Sequence, residues 1–342
     1  MSEAQPVPES SPFVLIVGAG LGGLMLGTIL ESANIPCGYD CLLVSRPKLH
    51  DLLRRRVPDH KISMGKRVLR QEEHDDKVTV YCSDDTTYEC SVIVGADGAY
   101  SAVRQNIYRQ LDEEDKLPLS DKAPFTIGYT TMVGTASHLN PERYPELKDK
   151  RGHFRLISGN KNDSSYAVTV PDNKICWALQ IQASESKSED ENLDWGQESV
   201  ETMIKEFEEF PCAYGGTMKD LFDATPKKLI SKIFLEEKVF RTWYHGRSVL
   251  IGDACHKLLP GGGQGAGMAF RDAVVLANCL YNMKDNSSKS IKSAFDSYYR
   301  QRYPEAEMQL KNSAYLSKVM FGQRKKKRAT SYSGRKLIGY HL

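Results

Sequence analysis

The 342-residue chain lacks most of the features that would declare a specialised class. Charge of one sign is missing: 46 Lys and Arg against 44 Asp and Glu leave +2 at neutral pH. No global field therefore recruits nucleic acid or an anionic membrane. No apolar run approaches the ~18 residues of a membrane span. The first residues, Met1 to Pro12, are polar and rich in Pro and Ser, without the basic and apolar stretches of a secretory signal. The eight cysteines (Cys37, Cys41, Cys82, Cys90, Cys176, Cys212, Cys255 and Cys279) form no C-x-x-C pair. That excludes a zinc ribbon and a thioredoxin-like motif, and their mostly apolar surroundings suit reduced, buried thiols. The histidines show no H-x-x-x-H spacing, so no metal site is expected, and no G-x-S-x-G elbow supports a serine hydrolase. What remains is ordinary globular composition, 40% hydrophobic and 26% charged. The length suits roughly two domains by a ~150-residue prior. An intracellular protein, soluble or peripherally attached, is expected.

What is present is a recurrent theme of buried strand, glycine turn and helix. Phe13 to Val17 is a continuous apolar run, as in a strand buried on both faces, and Gly23 to Ala33 has helical spacing. Arg46-Pro47 opens a second helix that runs to about Arg56. Ile62 to Leu69 and Val78 to Cys82 read as a hairpin turning at Asp75-Asp76, and Ser91 to Val94 as a short buried strand. From about Pro118 the texture becomes β-rich: Phe125–Val133, His153–Ser158, Tyr166–Val170 and Lys174–Gln182 read as strands, with Asp172-Asn173 as a turn. Trp195 to Phe210 reads as a helix stopped by Pro211. The opening theme returns with the strand Arg247–Ile251 and a helix over Gly265–Tyr281. A long polar helix over Ser288–Val319 and the basic run Arg324–Arg328 follow.

Three glycine-bearing turns carry the chemistry. Gly18-Ala-Gly20-Leu-Gly-Gly23 matches G-x-G-x-x-G between strand and helix. Gly18 allows the tight turn, Gly20 lets the backbone approach a pyrophosphate and Gly23 lets the helix pack close. Gly95-Ala-Asp97-Gly98, continuing through Ser101 to Arg104, places an acid at a strand end before a helix. Gly252-Asp253-Ala-Cys-His256, continuing through Pro260 to Gly265-Ala266, places a second acid likewise. Such a carboxylate either accepts from a ribityl or ribose hydroxyl or merely caps a helix.

These three blocks, in this order, resemble the class A flavoprotein monooxygenases of the para-hydroxybenzoate hydroxylase type. Trp243 to Lys257 and Arg46 to Leu53 are most similar to fungal FAD-dependent monooxygenases of terpenoid and meroterpenoid metabolism. The resemblance implies an α/β fold: a discontinuous Rossmann-like FAD-binding domain (13–117 and 241–285) after a leader (1–12). A β-rich substrate domain (118–240) is inserted, and a C-terminal helix and basic tail (286–342) follow. It implies FAD, with Gly18, Gly20 and Gly23 on the ADP moiety and Arg46 near the phosphate or ribityl region. Asp97 and Arg104 would serve both flavin and NAD(P)H, Asp253 would hold the ribityl chain, and Gly265 and Ala266 would line the isoalloxazine. Tyr166 lies about where some relatives carry a catalytic tyrosine; packing on a sheet face is the alternative. No metal is implied, and the isolated Trp177, Trp195 and Trp243 supply no W-x-W-x-I-P halogenase motif.

The implied reaction is oxygenation of a prenylated or aromatic secondary-metabolite precursor, with NAD(P)H as reductant and O₂ as oxygen source. The implied partner is thus a small hydrophobic or aromatic molecule rather than a nucleic acid. Arg324–Arg328 is a solvated tail, a nuclear signal or a peripheral membrane contact, the first being favoured because no aromatic or apolar face accompanies it. Two departures stand out. Relatives have an acid and arginine ending the second strand, then several tens of residues before the Arg-Pro helix. Here Ile35-Pro36 runs directly through Asp40 to Arg46. Either Asp40, 17 residues after Gly23, replaces the ribose acid, or that acid is absent. In addition, Gly267 stands where relatives often have asparagine. The second reading is accordingly a catalytically impaired remnant that keeps the fold as a binding protein.

Overall fold

The computed structural model describes residues 14–17, 45–149, 152–158, 163–182, 196–320 and 337–341. The expected helix over Gly23–Ala33, the motif glycines Gly18, Gly20 and Gly23, Asp40 and the basic run Arg324–Arg328 lie outside the described residues. The elements begin with β1 (Val14–Val17), α1 (Arg46–Arg54), β2 (Val68–Glu73), β3 (Val78–Cys82) and β4 (Thr87–Cys90). β5 (Val92–Gly95), α2 (Ala102–Glu113) and a single turn α3 (Leu119–Lys122) follow. Then come β6 (Thr126–Ala136), β7 (His153–Ser158), β8 (Asp163–Val170) and β9 (Lys174–Gln182). α4 (Gln197–Phe207), α5 (Met218–Asp223) and β10 (Ser231–Val239) lead to β11 (Tyr244–His245), β12 (Ser248–Leu250) and β13 (His256–Lys257). α6 (Gly265–Tyr281), α7 (Ser288–Met320) and β14 (Leu337–His341) complete them.

Two compact units divide these elements: one takes the described residues up to Phe125 together with Glu237–Ser313, the other those of Thr126–Glu236 and from Ala314 onward. In the first unit β1, β5 and β12 form a parallel sheet, with β11 antiparallel at its edge. β5 reads Val-Ile-Val-Gly and is buried throughout, as the central strand of a sheet covered on both faces must be. A three-stranded antiparallel sheet, β2-β3-β4, belongs to the same unit. Its first strand corrects the sequence expectation of Ile62–Leu69. Asp59–Lys61 is a 3₁₀ turn and Gly65 has φ +71°, so extended pairing starts only at Val68. α2, α6 and α7 supply Ile107, Leu276 and Phe295 to a core shared with Ile93, Val249 and Trp243.

The second unit is an antiparallel sheet of order β10-β6-β9-β8-β7-β14. Asp172 and Asn173 both have positive φ, 67° and 53°, as the tight β8–β9 hairpin requires. One face of the sheet, through Met132, Ala136, Ala167, Ile175, Trp177 and Leu179, joins a core with α4 and α5. Trp177 sits at its centre, 2% exposed, donating from Nε1 to Thr225 Oγ1 at 2.9 Å and lying edge-on to Phe222. Its cross-strand partner is Gly134, where an added Cβ would come within 2.4 Å of the indole, so the ring fits only over a glycine.

Candidate cofactor site

The site is built at the carboxyl ends of β5 and β12, which pair in parallel so that Leu250 lies opposite Gly95 and Ile251 N donates to Gly95 O at 3.0 Å. That register brings the second and third glycine-acid turns to the same sheet edge, where open α/β sheets bind their ligands. Past β5, Asp97 turns its carboxylate onto the start of α2. It accepts from Ala102 N at 2.7 Å, from Val103 N at 3.3 Å and from the Ser101 hydroxyl, while Ser101 Oγ accepts from Arg104 N at 3.0 Å. Ser101 is thus the N-cap of α2, and Asp97 holds the turn by accepting from that hydroxyl and from the first helical amides. Arg104 is 6% exposed, and burial lowers its pKa from the ordinary guanidinium value. Its Nη1 donates to Ala254 O at 2.8 Å, its Nη2 to Ala99 O, and its guanidinium lies 4.2 Å over the Phe240 ring. Both residues assigned to cofactor contact from the sequence spend these groups on bracing the two turns.

Past β12, Gly252 takes φ +60° and Asp253 follows in a 3₁₀ turn over Gly252–Ala254. Asp253 is solvent-exposed, but the protein around it raises its carboxyl above the usual range, against the pull of His256, Lys257 and Arg46. Arg46, exposed at the start of α1, is therefore within electrostatic reach of Asp253, and the structure brings together these two widely separated predictions. Beneath the turn lies a group that the sequence reading did not assemble. Asp272 Oδ2 accepts from Gly252 N at 2.9 Å and from His256 Nε2 at 2.5 Å, and Oδ1 accepts from Arg302 Nε at 2.8 Å. Asp272, His256 and Arg302 are at most 2% exposed. The available signal was an acid four residues after Met268 and four before Leu276, inside the apolar stripe of α6.

The third component is the start of α6. A 3₁₀ turn over Pro260–Gly262 precedes it, and Gln264 at the N-cap makes no side-chain capping bond. Gly265 and Ala266 are exposed at the first helical turn, and an added Cβ on Gly265 would meet nothing within 4 Å. A 17-residue helix with an uncapped, open N-terminus favours an anionic or electron-rich ligand group. An open carboxylate for hydroxyls beside uncapped amides is the donor and acceptor set that a ribityl-flavin requires, so the described residues fit FAD. Next to Asp97 lies an open groove of about 360 Å³ whose lining includes Arg67, Leu69, Tyr100 and Arg109.

Tyr166 lies in the second unit, on β8, opposite Ala178 and Leu156 and so on the sheet face away from the Trp177 core. Its ring stacks on Phe154 at 5.6 Å, and burial raises the phenol pKa, the wrong direction for a general base. Cys255, His256 and Asp272 place ligand-type atoms within 4.8 Å of one another. Asp272, however, already neutralises Arg302, and burial holds the Cys255 thiol well above its ordinary pKa, so the group is a satisfied hydrogen-bond cluster. No helix among the described residues is long and apolar enough to cross a membrane.

Residues 217–313 match the family model described as an FAD binding domain. The chain is 27% identical over 296 residues to the FAD-dependent monooxygenase esdpE of Penicillium shearii, covering 84% of this chain and 59% of the relative. To the FAD-dependent monooxygenase olcE of Penicillium canescens it is 30% identical over 252 residues, covering 71% and 51%. The chain thus spans between half and three-fifths of the length of these curated relatives. Among solved structures, a variant of HpxO from Klebsiella pneumoniae complexed with FAD superposes with a TM-score of 0.68 at 18% identity, covering 91% of each chain.

Proposed function

We propose that the chain is an FAD-dependent monooxygenase of the class A flavin type, a reading supported by the match to an FAD binding domain, by its fungal relatives and by its fold. On this reading it uses NAD(P)H and O₂ to epoxidise or hydroxylate a prenylated or aromatic precursor of a secondary metabolite. The observation that carries it is the open Asp253 carboxylate beside the uncapped start of α6. FAD, when bound, supplies the redox and oxygen chemistry; the chain's own residues bind and orient. Asp253 accepts from ribityl hydroxyls, Arg46 offers a cation to the phosphate or ribityl region, and the Gly265 and Ala266 amides face the ring. Gly18, Gly20 and Gly23 are assigned to the pyrophosphate. Arg67 and Arg109, on the groove beside Asp97, suit a nucleotide phosphate. Tyr166 is assigned to orienting or deprotonating a phenolic substrate, and burial, by raising its pKa, disfavours the second role.

Purified protein titrated with FAD should quench flavin fluorescence and show bound flavin absorbance. Absence of both, with no rise in melting temperature on adding FAD, sinks the proposal. With FAD bound, NAD(P)H oxidation stimulated by prenylated or phenolic compounds completes it. One sequence observation favours a second reading, in which the chain binds without turning over: Pro36 runs through Asp40 directly to Arg46, without the acid-arginine pair and the following several tens of residues of relatives. FAD binding without NAD(P)H oxidation for any such compound identifies that case.

A further inference from the structure

We propose that Asp272 and Arg104 act as a two-sided backbone clamp that positions Asp253, leaving its carboxylate free for the cofactor. The inference rests on the FAD reading above. Neither clamp residue makes a bond to the Asp253 side chain; both grip the peptides on either side of it. Asp272 takes the Gly252 amide at 2.9 Å and Arg104 takes the Ala254 carbonyl at 2.8 Å. The residues between these two bonds are Gly252, Asp253 and Ala254 alone.

The need for such a clamp follows from the turn. Gly252 leaves the β12 ladder with φ +60°, so its buried amide has no strand partner and must find an acceptor elsewhere. A carboxylate is the strongest acceptor a side chain offers. Buried alone it would be costly, and here both its oxygens are engaged and its charge is offset. Arg302 supplies the cation, and its remaining donors reach Glu305 and the Met268 carbonyl. His256 fixes Oδ2 from the other side, and its ring packs 5.3 Å from Trp243. The residues of the clamp and its supports come from α6, α7, α2 and β13, so the turn is tied to four elements of the first unit rather than to its own loop. Asparagine at 272 would present an NH₂ either to the Gly252 and His256 donors or to the Arg302 guanidinium, setting donor against donor.

The test uses the full chain and three readouts: FAD affinity by fluorescence quenching, hydrogen–deuterium exchange over residues 251–256 without FAD, and melting temperature without FAD. In Asp272→Asn, exchange in that segment should accelerate at least tenfold more than elsewhere, and FAD affinity should fall at least tenfold. Asp253→Asn should weaken FAD without accelerating exchange. Adding Asp272→Asn to Asp253→Asn should then cost less than a further twofold, because the clamp has no carboxylate left to position. Full multiplication of the two losses, or unchanged exchange and affinity in Asp272→Asn, overturns the inference. If Asp272→Asn does not fold, Arg302→Lys keeps the charge, loosens the carboxylate and should show the same pattern at smaller amplitude; unchanged exchange and affinity there also overturn it. A wild-type chain that binds no FAD overturns both this inference and the proposed function, whereas wild-type binding preserved in Asp272→Asn overturns the clamp alone.

Discussion

The two units bury their polar groups for different reasons. In the first, charged side chains lie deep: Asp272, Arg302, Arg247 and Arg104 are all at most 6% exposed. Arg302 pairs with Asp272, and the other three engage backbone at a turn or junction. Arg247 donates to Asp75 O, Ser91 O and Asn286 O, Arg104 to Ala99 O and Ala254 O, and Asp272 accepts from Gly252 N. In the second unit β6, β9, β8 and β7 form one continuous antiparallel ladder, so strand backbone is satisfied by strand backbone. Its core turns instead on Trp177, held by a neutral bond to Thr225. In the first unit these buried charges sit where the chain leaves a sheet or meets a turn; in the second, Asp163 and Glu236 are also buried, on β8 and β10, while the face packed on α4 and α5 is apolar.

That contrast can be broken by substitution. Trp177→Ala should cost the most, about 3–5 kcal/mol of stability from lost burial and an unfilled cavity, read by chemical denaturation. Arg247→Met should cost roughly 2–3 kcal/mol by stripping buried carbonyls of their donor, with no cavity of comparable size. If Arg247→Met proves neutral, buried charge is not what holds the turns of the first unit. Gly134→Ala presses a methyl against the indole and should destabilise by about 1–3 kcal/mol; a neutral result would mean that Trp177 has room to move. Asp97→Ala strips the acceptor from the first α2 amides and from the N-cap Ser101, for about 1 kcal/mol, measured as a shift in the denaturation midpoint.

The smallest effect concerns pH. Burial pushes the Asp272 carboxyl up, but His256 and Arg302 outweigh it and leave the pKa below the usual carboxylate value. A depressed carboxylate contributes stability that is present above its unfolded pKa and is lost as pH falls through the folded one. Wild-type stability should therefore decline on acidification below about pH 4, and part of that slope should vanish in Asp272→Asn. An identical acid limb in both proteins would place the charge dependence elsewhere.

Much of the fold was legible. Lys174–Gln182 and Gly265–Tyr281 match the observed β9 and α6 at both ends, because each carries a strong period bounded by a turn pair or a glycine run. β4 went unseen because the four residues Thr-Tyr-Glu-Cys carry only two apolar positions of an alternation, and α5 because six residues make too short a periodic signal. Of the site, the glycine-acid turns were legible as motifs, but the division of labour within them was not. Asp97 and Asp253 look alike in sequence, each an acid after glycine at a strand end. Asp97 has helix amides within reach and caps them, while Asp253 has its turn held by others and its carboxylate left open.

The sequence by itself determined the parallel strand-turn-helix units, the β-rich insert and the kind of cofactor the turns suit. Those properties rest on local chemistry: apolar runs, glycines at turns and acids at strand ends. Only the tertiary structure decided which carboxylate is free and which are spent. Asp272 lies 20 residues from the amide that it holds and 30 from its arginine, Arg104 lies 150 residues from Ala254, and no local period links such pairs. The near-neutral composition, which leaves the chain no global field, also conceals this. Within a total of +2, Asp272 and Arg302 form a buried pair inside the first unit.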